Sequence, residues 1–140
     1  MRRRVVPCVC AHHALGGVPD AIPVYAIDGD TPLAYNPLHL IETTVFTRQV
    51  QSMLSPEEYR ALQLSLIARP DAGPIIRGTG GLRKLRWRLL GRGKRGGIRV
   101  IYYWRVVPEQ ILLIYLYPKN VQANLTPAQL RALRRLVPEN

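Results

Sequence analysis

Lys84, Arg86 and Arg88 recur at every second position, with Leu85, Trp87 and Leu89 between them. Two-residue alternation marks a strand with one polar and one apolar face, so the three cations share a side. After a glycine-rich loop, "GRGKRGG", that carries Arg92, Lys94 and Arg95, the rhythm resumes. Arg99, Tyr103 and Arg105 face one way; Ile98, Val100, Tyr102 and Trp104 face the other. The stretch from Arg77 to Arg105 holds ten of the 20 Lys and Arg residues and none of the nine acids. The remaining segments are nearly balanced, with ten cations against nine acids. A single-sign field gathered on one stretch points to a polyanionic partner, most often nucleic acid.

Several catalytic kits are missing. No carboxylate pair stands near the basic stretch, so metal-assisted phosphoryl cleavage lacks its ligands there. His12, His13 and His39 all precede the regular part of the chain or stand at its start, leaving that part without an imidazole base. "GTGGLRK" resembles a phosphate loop only superficially, because the G-x-x-x-x-G-K-[ST] spacing is absent. What remains is Arg, Lys and Tyr. That set suits RNA, which carries its own nucleophile, the 2′-hydroxyl, beside the scissile phosphate. Fixed cations can hold the strand in line and stabilise the charge that grows during attack. Arginine forks match phosphate oxygens in a bidentate way. Tyr103 or Tyr117 can carry a proton or stack on a base. DNA lacks the 2′-hydroxyl and would not be cut by this route. Composition alone leaves open a plain RNA-binding sheet, and strand tyrosines are also ordinary packing residues.

These cations need a scaffold. The chain has 140 residues, 47 % of them hydrophobic, enough for one domain with a core and too apolar for global disorder. Residues 1–37 hold five of the twelve prolines, turn-like pieces such as "IDGDTP" and little periodicity, and read as an irregular or disordered leader. The regular domain spans 38–140. "HLIETTVFT" reads as a short strand, and Phe46, Val50, Met53 and Leu54 then fall at helical spacing. Ser55, Pro56 and Glu58 form a helix start with a capping box. That helix turns Tyr59, Leu62 and Leu66 inward and stops before Pro70. The two alternating strands follow. Ile111–Tyr117 is apolar on both faces, as in a strand covered on both sides. Thr126, Pro127 and Gln129 open a last helix, with Leu130, Leu133, Leu136 and Val137 on one stripe and Arg131, Arg134 and Arg135 outside it. The order β–α–α–β–β–β–α defines a small α+β fold.

Cys8 and Cys10 make a poor disulfide and, even with His12 and His13, match none of the usual zinc spacings. A reducing cytoplasm is the expected compartment. No apolar run approaches the roughly 18 residues of a membrane span. The basic start "MRRRVV" is followed by Pro7, His12 and His13, which interrupt what a signal peptide keeps apolar.

"EEYRALQ", "GTGGLRKLRW", "GRGKRGGIRVIYYW" and "YPKN", in this order and spacing, resemble the RelE/HigB-type toxins of bacterial toxin–antitoxin modules, over roughly Leu38 to Val137. The resemblance implies a compact microbial-RNase-like (RelE-like) fold: an antiparallel sheet with two N-terminal helices packed on it and a C-terminal helix. It implies an endoribonuclease, a metal-independent mRNA interferase that cuts mRNA in the ribosomal A site and needs no cofactor. It also implies a cognate antitoxin, helix-turn-helix in type and HigA-like, beside ribosome and mRNA as partners, with no membrane involved. Carried over by position, the basic sheet face falls on Lys84 and Arg86, the transition-state arginine on Arg99, and the basic residue after the last strand on Lys119. Tyr117 joins them as proton carrier. Arg83, Arg88, Arg92, Lys94, Arg95 and Tyr103 are the expected RNA grips. Two departures stand out. Related toxins carry a small residue where Pro118 stands and acids near Val121 and Asn124. Pro118 removes a backbone donor beside Lys119, which bears on how Lys119 is held. The alternatives are a ParE-like gyrase-inhibiting toxin and a non-catalytic RNA-binding module or inactive remnant.

Overall fold

The computed structural model describes residues 3–6, 38–89, 97–106 and 109–138. In chain order the elements are β1 (Arg3–Val6), β2 (His39–Thr43), α1 (Thr44–Met53), α2 (Pro56–Ala68), β3 (Leu82–Arg88), β4 (Gly97–Arg105), β5 (Gln110–Pro118) and α3 (Pro127–Arg134). From β2 onward this is the expected order.

Local chemistry sets the helix starts. The Ser55 hydroxyl accepts from the Glu58 amide, while the Glu58 carboxylate accepts from the Ser55 amide, and Pro56 occupies the first turn of α2. Thr126 and Gln129 do the same for α3. Thr43 serves three elements: it ends β2, its hydroxyl caps α1 by accepting from the Phe46 amide, and the same hydroxyl donates to the Ile114 carbonyl of β5 at 2.7 Å. The buried Glu42 carboxylate accepts from the Thr47 hydroxyl of α1 at 2.6 Å and from the Tyr59 hydroxyl of α2, which ties both helices to β2.

The strands form one sheet in the order β1-β2-β5-β4-β3. β3, β4 and β5 make an antiparallel meander, but β2 lies parallel to β5. The sheet is therefore mixed, which corrects the antiparallel sheet expected above. Alternation reports which face a residue takes and says nothing about the direction of the neighbouring strand. Here the two-helix connection returns the chain so that β3, and with it β5, runs the same way as β2. A second difference lies at the start. Arg3–Val6 pair antiparallel with β2, so these four residues are regular where an irregular leader is expected. Val5 and Val6 suit a strand, and β2 offers them an open ladder. Residues 7–37, with Cys8, Cys10, His12 and His13, lie outside the described residues.

The sheet has two buried faces. On one, Ile98, Val100, Tyr102, Ile111, Leu113 and Leu116 pack against Phe46 of α1 and Leu62 and Leu66 of α2. On the other, Leu82, Ile101, Tyr103, Leu112, Ile114 and Tyr117 meet Leu125 and the α3 flank through Leu133 and Leu136. β5 is covered on both, as its composition predicts. Its alternation is broken once. Ile101 pairs with Tyr115 and Tyr102 with Leu113, leaving Ile114 as the extra residue of a β-bulge. Ile114 and Tyr115 consequently take the same side, and every residue after them is turned over. Leu116 points toward α1 and α2, and Tyr117 toward α3. Beyond the end of β2, side chains complete the ladder of β5: Thr43 donates to Ile114, and Gln49 of α1 accepts from the Leu116 amide at 2.8 Å.

Tyr102 pins the loop before β3. Its buried phenol donates to the Pro70 carbonyl at 2.7 Å and accepts from the Gly73 amide at 2.9 Å. Gly73 sits so close that a Cβ there would lie 3.0 Å from Lys84 backbone and the Tyr102 ring. Tyr102→Phe strands both loop groups and should lower stability by about 2 kcal/mol, read as a lower urea midpoint at unchanged slope. Burial pushes the Tyr102 phenol above its ordinary pKa, with the Gly73 amide and Arg83 pulling it partly back and Asp71 adding to the rise. A raised native pKa means that the unfolded chain ionises first. The associated stability is full below the unfolded value of about 10 and is lost as pH rises through the native one. Alkaline unfolding should therefore be shallower in Tyr102→Phe.

Candidate functional site

Register brings the candidate residues together. Arg86 of β3 pairs with Arg99 of β4, and Arg99 pairs with Tyr117 of β5. The three form one row across three adjacent strands, on the face that also carries Ile101 and Tyr103. Lys84 begins the next row, opposite Ile101 and then Tyr115. Tyr117 joins the row only because of the bulge at Ile114. With regular alternation it would point toward α1 and α2.

Lys119 follows β5 directly. Its amide donates to the Gly97 carbonyl at 3.0 Å, two residues before Arg99. That bond shows why Pro118 does not disturb the ladder. Ile98 and Pro118 are a pair that exchanges no hydrogen bonds, so the missing proline N–H would point away from β4, on the side where β2 has already ended. The lysine is held by its own amide. Its side chain is exposed.

Arg99 is only 8 % exposed, and its side chain has no hydrogen bond or ion pair among the described residues. An anion reaching this largely buried arginine would complete it. Tyr117 is 3 % exposed, and its hydroxyl is sealed from solvent with no hydrogen-bond partner among the described residues. Burial raises the Tyr117 pKa, Arg99 draws it partly back, and Tyr115 adds a further rise. Tyr117 is thus a neutral phenol at pH 7, a donor rather than a base. Its ring centroid lies 5.9 Å from that of Tyr115. The Lys84 ammonium donates to the Asn124 side-chain oxygen at 3.2 Å. Asn124 is held in turn by the Gln122 amide, which donates to its carbonyl at 2.7 Å and to Gln129 of the α3 capping box. A neutral amide thereby orients Lys84 without cancelling its charge. Beside Lys84 and Arg86 lies a groove of about 530 Å³, walled by Pro74, Ile75, Ile76 and Arg77. Its mixture of apolar wall and cations fits a base and its phosphate.

Other predicted residues are placed differently. Arg83 is on the opposite face from Lys84. It donates to the Asp71 and Gly73 carbonyls and lies 5.7 Å from the Trp104 ring centroid, which makes it a pin for the 71–73 loop. Tyr103 is buried at the far end of the site's face, where a Cβ on Gly81 would come within 3.1 Å of its ring. Arg88 is exposed at the end of β3, opposite Gly97. Arg92, Lys94 and Arg95 lie outside the described residues. Asn124 and Arg77 belong to the site's surroundings, although no local pattern announces them. Among the described residues, no group of three His, Cys, Asp or Glu side chains is placed to hold a metal ion. No described helix is long and apolar enough to cross a membrane.

The fold and the site together define a small α+β domain with Lys84, Arg86 and Arg99 on one face of its mixed sheet. Residues 71–139 match the family model of the RelE toxin of the RelE / RelB toxin-antitoxin system. The match runs from the loop before β3 to beyond α3, contains Lys84, Arg86, Arg99, Tyr117 and Lys119, and supports membership of the RelE/ParE superfamily.

Proposed function

We propose that the chain is the toxin of a toxin–antitoxin module and cuts mRNA on the ribosome. Arg99 carries this reading: a nearly buried arginine, unpaired among the described residues and in a row with Arg86 and Tyr117, is a socket for a phosphate. In the proposed reaction the 2′-hydroxyl oxygen attacks the adjacent phosphorus and the bond to the 5′-oxygen breaks, leaving a 2′,3′-cyclic phosphate and a 5′-hydroxyl. Arg86 and Arg99 hold the non-bridging oxygens as their charge grows. Tyr117 donates its proton to the leaving 5′-oxygen. The 2′ proton passes to solvent water, and Lys84 and Lys119 add positive charge beside the phosphate. No step requires a metal ion. The partners on this reading are the ribosome, its mRNA and a cognate antitoxin that neutralises the toxin.

Controlled expression without an antitoxin should arrest growth and create new mRNA 5′ ends inside translated frames. A translation inhibitor given beforehand should abolish them. If purified protein degrades naked RNA as fast as ribosome-bound RNA, ribosome dependence is wrong. Arrest with DNA damage and intact mRNA would instead support a gyrase-directed toxin.

A further inference from the structure

The flank of α3 carries charge that the candidate site does not use. Arg77, from the loop before β3, and Arg131 and Arg134 of α3 line a cleft of about 190 Å³ with Gly78 and Thr79. Thr79 and Arg134 also line a neighbouring cleft of about 410 Å³, which adds Arg135, Gly80 and Tyr103. Arg77 in turn borders the groove of Lys84 and Arg86. Shared walls make the three depressions one track, leading from the catalytic row past the glycine turn and along α3.

None of the four arginine side chains on this track has a hydrogen bond or ion pair among the described residues. Helix electrostatics accounts for part of this, because cations in a last turn answer the negative end of the helix dipole. It does not account for the whole. Arg131, Arg134 and Arg135 stand at three- and four-residue spacing, where like charges repel, and no acid of α3 relieves them. Arg77 comes from a different element, with no dipole to answer, and faces the same cleft. The turn itself is open: Gly78 and Gly80 have φ of 77° and 74°, and a Cβ on either would meet nothing within 4 Å. A ligand can approach that backbone closely.

We infer that this track grips the phosphodiester backbone of the RNA strand that flanks the scissile position. The polyanion's identity rests on the reading proposed above. Continuity favours RNA over an acidic peptide: a strand whose phosphate sits on Arg99 must leave the site, and this cationic path begins at its edge. Arginine forks also suit successive phosphates better than point charges do.

The test measures binding rather than cutting. Fluorescence anisotropy is recorded for 2′-O-methyl oligonucleotides, which cannot be cleaved, of 4 and 12 nucleotides over a range of salt. Wild type should bind the 12-mer more tightly and with the steeper salt dependence. Arg131→Ala/Arg134→Ala changes two exposed positions. It should keep 4-mer affinity within about twofold, lose most of the 12-mer advantage, and flatten the log–log salt slope by about 1.4. Arg77→Ala, on a separate element, should flatten it by about 0.7. Unchanged 12-mer affinity and slope in both variants would overturn the inference. So would a loss of affinity for a poly-glutamate peptide with no loss for the 12-mer, which would make the track a protein-docking surface. If the binding pattern holds in a protein that cuts no RNA, the grip stands and the nuclease reading fails. Cleavage without the pattern separates them the other way.

Discussion

Arg99→Met is expected to abolish cleavage of ribosome-bound mRNA while leaving the fold no less stable. The two halves have one cause. Arg99 is nearly buried and its side chain has no hydrogen bond or ion pair among the described residues, so it is available to an incoming anion. An anion arriving in the site completes it, and the growing charge of the phosphorane completes it best. Removing one preorganised donor of this kind typically costs on the order of 3 kcal/mol, a hundredfold or more in rate. Methionine fills a similar volume on the same strand, so the urea midpoint should hold. Salt separates this variant from the loop. Arg92→Ala or Arg95→Ala removes a grip whose contribution depends on ionic strength, and low salt should partly restore cleavage. Low salt should not restore Arg99→Met. A variant that melts earlier and still cuts would mean that Arg99 serves packing, and the catalytic row would have to be reassigned.

Much of the scaffold was legible. The Ser55–Glu58 and Thr126–Gln129 capping boxes are local chemistry, and the helices begin where those residues predict. Alternation put Lys84 with Arg86 on one side of β3 and Arg99 opposite Ile98 and Val100 in β4, and the register joins the two sides into one face. The same alternation put Arg83 on the other face, and its place over Trp104 follows from that parity. β5 was different. Its residues are apolar on both sides, so inserting Ile114 leaves no mark on the periodicity, yet the insertion decides which face Tyr117 takes. A bulge inside a doubly covered strand is invisible to pattern reading. The parallel pairing of β2 with β5 was also hidden, because it depends on the path of two helices rather than on any residue. Lys84 and Asn124 meet across 40 positions of chain, and the contact is made by the packing of α3 against the sheet. Pro118 looked harmful when only its missing donor was counted. The register shows that the donor would have had no acceptor.

Tyr117→Phe should likewise leave a stable fold with little activity, for a different reason. The Tyr117 hydroxyl is buried without a partner among the described residues, so deleting it removes a desolvated group and breaks no hydrogen bond. Stability should be unchanged or rise by about 1 kcal/mol. The phenol's raised pKa keeps its proton in place across the physiological range, and Arg99 beside it eases ionisation as the proton departs. Those are the proton-holding properties of a general acid, and the proposed role requires RNA binding to uncover the sealed hydroxyl to the leaving 5′-oxygen. Losing such an acid should slow cleavage about a hundredfold. Wild-type activity should also fall at alkaline pH beyond the ordinary phenol range, where the raised Tyr117 phenol empties, and Tyr117→Phe should lack that limb. A substrate with sulfur in place of the 5′-oxygen supplies a leaving group that needs no proton. On it, Tyr117→Phe should approach the wild-type rate while Arg99→Met stays slow, because the charge on the phosphorane still has to be held. Equal rescue of both variants, or of neither, would remove Tyr117 from the role of acid and return it to packing against Tyr115.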